Sequence, residues 1–181
     1  MYKTISGSSG SSGQTFCVSF HNIPKDGYVC GIKVINLPSV HELGFISCFV
    51  GDNGLLAALV QGLSNSSDLI SLRKLQLSKL YDGQIGELRF SSEFHSIYGA
   101  IFSMPKQQLM EFTLDLSENY FDSNHHHRII DIWKDKSGGQ KLKRLIYTSR
   151  KFSYEWAQPE SENYNASLCK SFRSLAVDVE L

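Results

Sequence analysis

Met110-Glu111-Phe112-Thr113-Leu114-Asp115-Leu116 is the cleanest alternation in the chain. Side chains of a strand point to opposite faces in turn, so Met110, Phe112, Leu114 and Leu116 share one face and Glu111, Thr113 and Asp115 the other. The preceding run, Ile97 to Met104, is more apolar, and Met104-Pro105-Lys106-Gln107 carries turn chemistry, with Pro105 fixing φ and removing a ladder donor. The stretch 97–116 therefore reads as an antiparallel hairpin with a buried face.

Working outward, Phe16 to Phe20 and Tyr28 to Asn36 read as strands joined through Pro24-Lys25-Asp26-Gly27, and Leu43 to Val50 as a third, buried strand. Leu55 to Leu63 combines strong helix formers with Asp52 or Asn53 as N-cap and Gly62 near its end, and is the best helix pattern present. Asp68 to Leu80 mixes both periods and is taken as a short strand. Ile85 to His95 alternates as another strand, Glu118 to His126 as a polar loop, and Arg128 to Lys134 as a strand. Asp135 to Gln140, with Ser137-Gly138-Gly139, reads as a hairpin turn into a long strand, Lys141 to Trp156. Leu168, Phe172 and Leu175 have helical spacing within 166–175. Strands do not alternate with helices in this reading. The expected class is strand-rich α+β: a mainly antiparallel sheet with one or two short helices, or alternatively a β-sandwich.

The length of 181 residues suits one domain, large enough to bury a core without metals or disulfides. Residues 1–13 form a Gly/Ser-rich segment expected to be disordered and outside the fold. Residues 14–176 form the globular domain, and 177–181 a tail. The sequence shows no apolar leader near Met1 and no run long enough to cross a bilayer. The expectation is an intracellular, cytoplasmic protein. Cys17, Cys30, Cys48 and Cys169 include no Cys-x-x-Cys and are read as buried or reduced thiols.

Three features compete for function. His125-His126-His127 offers imidazoles for a metal or a pH-sensitive surface, but adjacent residues of an extended chain point apart, and a solvated loop is the leading reading. The stretch 128–151 concentrates Arg128, Lys134, Lys136, Lys141, Lys143, Arg144, Arg150 and Lys151 against only Asp131 and Asp135, in a chain of net charge +0. Such a surface suits phosphate, as RNA backbone or anionic lipid, or else a solvated sheet face whose charges discourage edge pairing. Trp133, Tyr147, Phe152, Tyr154 and Trp156 are interleaved with it, as core side chains or as stacking partners for bases. There is no Gly-x-Ser-x-Gly, Walker loop or His-Glu-x-x-His, and Asp115 and Glu118 read as surface acids. No catalytic activity and no cofactor are expected.

The order of elements resembles rhabdovirus matrix proteins, particularly the short ones of plant-infecting members. After a disordered N-terminal segment, the likeness covers residues 28–156: an early strand, the Leu55–Leu63 helix, the pair Tyr98-Gly99-Ala100-Ile101-Phe102 and Gln108 to Leu116, and a final segment rich in Lys, Arg and aromatics. Met1 to Gly13 has only Lys3 where such proteins carry a basic arm. The resemblance implies a non-enzymatic structural or assembly protein that self-associates and contacts nucleocapsid RNA–protein and anionic membrane through the basic hairpin. It would then sit in virions or at an inner membrane face. The alternative is a β-sandwich module that recognises a protein partner.

Overall fold

The computed structural model describes residues 2–10, 13–22, 40–50, 54–64, 71–82, 88–148 and 162–181. In chain order the elements are β1 (Tyr2–Gly10), β2 (Gly13–His21), β3 (Val40–Ile46), α1 (Gly54–Ser64), β4 (Lys74–Ser78) and α2 (Ser92–Phe102). They continue with α3 (Lys106–Leu109), β5 (Thr113–Asp115), α4 (Ser123–Lys136), β6 (Leu142–Ile146), α5 (Glu162–Leu175) and β7 (Ala176–Glu180). The strands lie side by side in sequence order in one sheet. β1 is antiparallel to β2, and β2 through β7 are all parallel. Parallel neighbours need a crossover, here supplied from β3 onward by a helix between strands. The fold is therefore α/β, and the expected antiparallel sheet and β-sandwich are both overturned.

The difference from the expected hairpin begins at residues 97–116. Ile97 to Phe102 is not a strand arm but the second half of α2, which buries Phe94, Ile97, Tyr98, Ile101 and Phe102 at helical spacing. Ser91 caps that helix by accepting from the Phe94 N–H. Pro105 precedes the single turn of α3, and only Thr113–Asp115 forms the ladder. Phe112, Leu114 and Leu116 are buried as their alternation predicts, whereas Met110 is 55% exposed. A short apolar run does not distinguish strand from buried helix, and the apparent hairpin arose from that ambiguity.

The basic hairpin fails for a similar reason. Residues 128–134 lie in α4, where Ile129, Ile130 and Ile132 are buried. Asp122 caps it, accepting from the His125 N–H at 2.9 Å, so the end of the expected loop 118–126, from Ser123 on, is the helix start. Gly138 and Gly139, at φ +60° and +81°, turn the chain from α4 into β6. The expected strand 28–36, residues 85–87 of the expected strand 85–95, and the part of 141–156 beyond Thr148 lie outside the described residues. Of the rest of 85–95, Leu88 makes only an isolated bridge to Phe121 and Ser92 to His95 open α2, so the strand expected there is not formed. The strands at 16–20 and 43–46, the short strand within 68–80, and both helices at 55–63 and 166–175 are present. Tyr2–Gly10, expected outside the fold, pairs as β1, and the expected tail is β7.

Register reveals a repeat. Val18, Leu43, Leu75, Leu114, Leu145 and Val179 are successive ladder neighbours. Two residues on stand Phe20, Phe45, Leu77, Leu116, Tyr147 and Leu181, packed in or against the same core. Four residues after the first position the backbone turns left-handed in each repeat described there: Asn22 (φ 51°), Ser47 (53°), Lys79 (54°) and Glu118 (56°). Five residues after it come Cys48, Leu80 and Asn119, all buried. Asn119 is the joint between two repeats. Its Nδ2 donates to the carbonyls of Leu77 (2.5 Å) and Leu116 (2.9 Å), and its Oδ1 accepts from the Leu80 N–H at 2.8 Å. At the equivalent place the Cys48 thiol reaches the carbonyls of Phe20 and Ile46 at 3.5 and 3.4 Å.

Written out, Val40-x-x-Leu43-x-Phe45-x-x-Cys48-x-Val50 and Leu72-x-x-Leu75-x-Leu77-x-x-Leu80 resemble the leucine-rich repeat form L-x-x-L-x-L-x-x-N/C-x-L. Leu114-x-Leu116-x-x-Asn119-x-Phe121 keeps its second half. The architecture is thus a β/α solenoid, in which each strand–helix unit buries its apolar face against its neighbours. Helix α1 packs on α2, α2 on α4, and α4 on α5, forming one layer over one face of the sheet. The core lies between that layer and the sheet.

Candidate functional site

Because the helices cover one face, alternation delivers the other set of strand side chains to an open face. Cys17, Glu42, Lys74, Thr113, Arg144 and Asp178 form one row across it. Ser19, Gly44, Gln76, Asp115, Ile146 and Glu180 form the next. Most parallel sheets are buried on both faces, so a polar uncovered face is unusual. The rows are internally bonded. Gln76 Nε2 donates to Ser78 Oγ at 3.2 Å, and Asp115 Oδ1 accepts from the Ser117 N–H at 3.0 Å. Arg144 Nη2 donates to Glu180 Oε2 at 2.7 Å. Its Nε lies 3.2 Å from Asp178 Oδ2, within ion-pair range but not aligned as a hydrogen bond. Burial, and then the Glu42 carboxylate, push the Cys17 thiol above its ordinary pKa. A Cβ at Gly44 would come within 3.1 Å of Ser19 Oγ, so the floor is tight between β2 and β3. Four carboxylates (Glu42, Asp115, Asp178, Glu180) stand against Lys74 and Arg144, and the face is net acidic.

The residues expected to bind phosphate do not form one surface. Arg128, Lys134 and Lys136 are exposed on α4, and Lys141 and Lys143 are exposed around the start of β6. Arg144 is on the open face between two acids, while Arg150 and Lys151 lie outside the described residues. Lys136 Nζ is 2.9 Å from Asp135 Oδ2 and holds that carboxyl below its ordinary range. Among the interleaved aromatics, Tyr147 is buried, and half-buried Trp133 donates its Nε1 to the Gln140 carbonyl at 2.7 Å. Both serve the fold. Phe152, Tyr154 and Trp156 lie outside the described residues.

The histidine triplet is not a solvated loop. It occupies the first turn of α4, with His125 and His126 buried and His127 exposed. His125 sits among Phe90, Phe94, Tyr98 and Phe121 and shares a 2.7 Å hydrogen bond between its Nε2 and the Tyr98 hydroxyl. Its Nδ1 has no aligned partner, although the Leu88 backbone favours the protonated ring. Burial, then the neighbouring His126, hold its pKa well below the ordinary value. His126 Nδ1 pairs with the Tyr147 hydroxyl at 2.9 Å. Burial raises both tyrosines well above their ordinary pKa. Among the described residues no group of three or more His, Cys, Asp or Glu is placed to hold a metal. A hollow of about 430 Å³ lined by Lys106, Gln107, Met110 and Glu111 brings together no acid–base pair with a nucleophile.

Comparison with protein families, with curated proteins and with solved structures found no match to this chain. Among the described residues no helix is long and apolar enough to cross a membrane. Of the open-face residues Lys74, Gln76, Thr113, Asp178 and Glu180, the sequence reading places only Thr113 on an outward face. The signal that locates four of them is the L-x-x-L-x-L spacing at 72–77, 142–147 and 176–181, with Ala176 and Val179 as smaller members, because the residues between its apolar positions face outward.

Proposed function

We propose that the chain is a non-enzymatic, cytoplasmic recognition module whose open sheet face binds a protein partner. One observation carries the reading: among the described residues, six parallel strands in sequence order leave one face of the sheet free of helices and line it mainly with polar side chains. Stacked repeats characteristically use such continuous surfaces for recognition. At about 4.8 Å per strand, the six strands span about 24 Å, enough for about seven residues of an extended segment. Among the described residues Cys17 and Cys169 form no disulfide, which suits a reducing compartment. A photoreactive residue at Gln76 or Thr113 is expected to capture a protein partner in the cells that make the chain. The same residue at exposed Asp131 on α4 is expected to capture none. Capture from Asp131 alone would overturn the reading.

A second reading, a self-associating assembly protein of the matrix type that contacts RNA–protein or anionic membrane, draws on exposed Lys134, Lys136, Lys141 and Lys143 around the α4–β6 turn. It predicts salt-sensitive flotation with phosphatidylserine vesicles, lost in Lys141→Glu/Lys143→Glu. Absence of flotation at low salt would remove it.

A further inference from the structure

Among the described residues four large hydrophobic side chains are exposed: Tyr81, Met110, Tyr120 and Val177. Two of them occupy one position of consecutive repeats, since Tyr81 follows Leu75, and Tyr120 follows Leu114, by the same six residues. Their exposures are 39% and 37%. The preceding repeat places Phe49 at this position, buried, with its ring 5.6 Å from Tyr81 in an edge-on contact. Phe49 and Tyr81 are joined by a parallel bridge, and the Tyr81 N–H donates to the Cys48 carbonyl at 3.1 Å. The Tyr120 carbonyl accepts from the Leu88 N–H. The tyrosines thus stand on backbone already fixed by the fold, just past the strand ends that border the open face. Beside them, Lys79 Nζ and Glu118 Oε1 pair at 3.2 Å across the same two repeats, so the rim carries no net charge there. Rigid, half-exposed tyrosines make good anchors because binding orders little that is not already ordered. The adjoining face has four carboxylates and two basic groups.

We propose that Tyr81 and Tyr120 anchor the partner, and that the partner presents an extended basic segment: an aliphatic or proline side chain against the tyrosines, with Lys or Arg a few residues away over the acidic face. This inference rests on the open-face reading and names the chemistry of its ligand. Charge complementarity selects a basic segment: Arg144 offsets only one of Asp178 and Glu180, and Glu42 and Asp115 outnumber Lys74.

The probe is a random dodecapeptide display library selected against the full chain, with winners measured by fluorescence anisotropy. Winners are expected to combine Leu, Ile or Pro with Lys or Arg. Tyr81→Ser/Tyr120→Ser should weaken them about tenfold or more, the loss typical of removing an anchor. Tyr81→Phe/Tyr120→Phe should retain most of the affinity, and Tyr81→Ser alone should give a smaller loss should the double variant fail to fold. Unchanged affinity in the Ser variants, with loss in Thr113→Arg, would overturn the rim anchor while leaving the open-face reading standing. Indifference to both sets would overturn both. Acidic winners, no enrichment, or a concentration-dependent dimer abolished by Tyr81→Ser, which would make a second copy the occupant, each overturn the inference.

Discussion

The two faces of the sheet are built from alternating residues of the same short strands, yet they do different work. Leu75, Leu77, Leu114 and Leu145 are fully buried against the helices, while Lys74, Gln76, Thr113 and Arg144, their immediate neighbours, stay partly in water. The covered face contributes stability, because each unit can bury apolar surface only against the next. The open face buries less apolar surface, and most of its side chains reach water.

The largest expected effect breaks the covered face. Leu114→Ala should cost about 3–5 kcal/mol in urea unfolding, since it leaves a cavity at a site with no exposure. Thr113→Ala, one residue away, should stay within about 0.5 kcal/mol. Similar losses at both would erase the distinction between the faces. Next comes the joint between repeats. Asn119→Ala should cost about 2–4 kcal/mol, because the Leu80 N–H and the carbonyls of Leu77 and Leu116 lose their buried partner. Asn119→Cys, matching Cys48, should recover part of that loss, and identical melting of the Ala and Cys variants would contradict the equivalence of the two positions.

The helix layer should also carry a pH dependence. Burial keeps His125 neutral in the folded chain below the pH at which an unfolded histidine takes up a proton. The unfolded state therefore binds more protons, and stability is fully present above about pH 6.5 and falls as the pH drops below it. The slope from this group approaches about 1.4 kcal/mol per pH unit. His125→Phe should flatten the urea midpoint between pH 7 and 5 relative to the parent, and equal slopes would refute the assignment. The smallest effect concerns the left-handed turn: Ser47→Gly should raise stability by about 0.5–1 kcal/mol by relieving φ 53° in a residue with a Cβ. A loss would place a stabilising role on the serine side chain.

The parts of the fold readable in advance were those with a local signal. Leu55 to Leu63 has helix formers over a full apolar stripe, and Leu43 and Phe45 sit in a β-rich run. What escaped depended on distant partners. Ile97 to Phe102 is apolar in either conformation, and its helical face is defined by packing on α1 and α4. Asn119 looks like a loop residue, and its role requires the Leu77 carbonyl 42 residues away. The strands β4, β6 and β7 are five residues long, too short for alternation to announce two faces. The basic block was legible as composition, but α4 and β6 divide it. Asp115, expected on a wet face, points to the open face yet is only 5% exposed, held by the Ser117 N–H.

The open face exists only if β4 and β5 run parallel, with Lys74 beside Thr113 and Gln76 beside Asp115. Paired cysteines test this directly, in a background where Cys17, Cys30 and Cys169 are Ser and Cys48 is Ala. Lys74→Cys/Thr113→Cys and Gln76→Cys/Asp115→Cys should form disulfides under mild oxidation, because adjacent strands bring their Cα atoms within bridging distance. Lys74→Cys/Asp115→Cys, a diagonal pair about 8 Å apart in the parallel sheet, should not. Ready bridging of the diagonal pair with none at 74–113 would mean antiparallel strands, and would contradict both the solenoid and its open face.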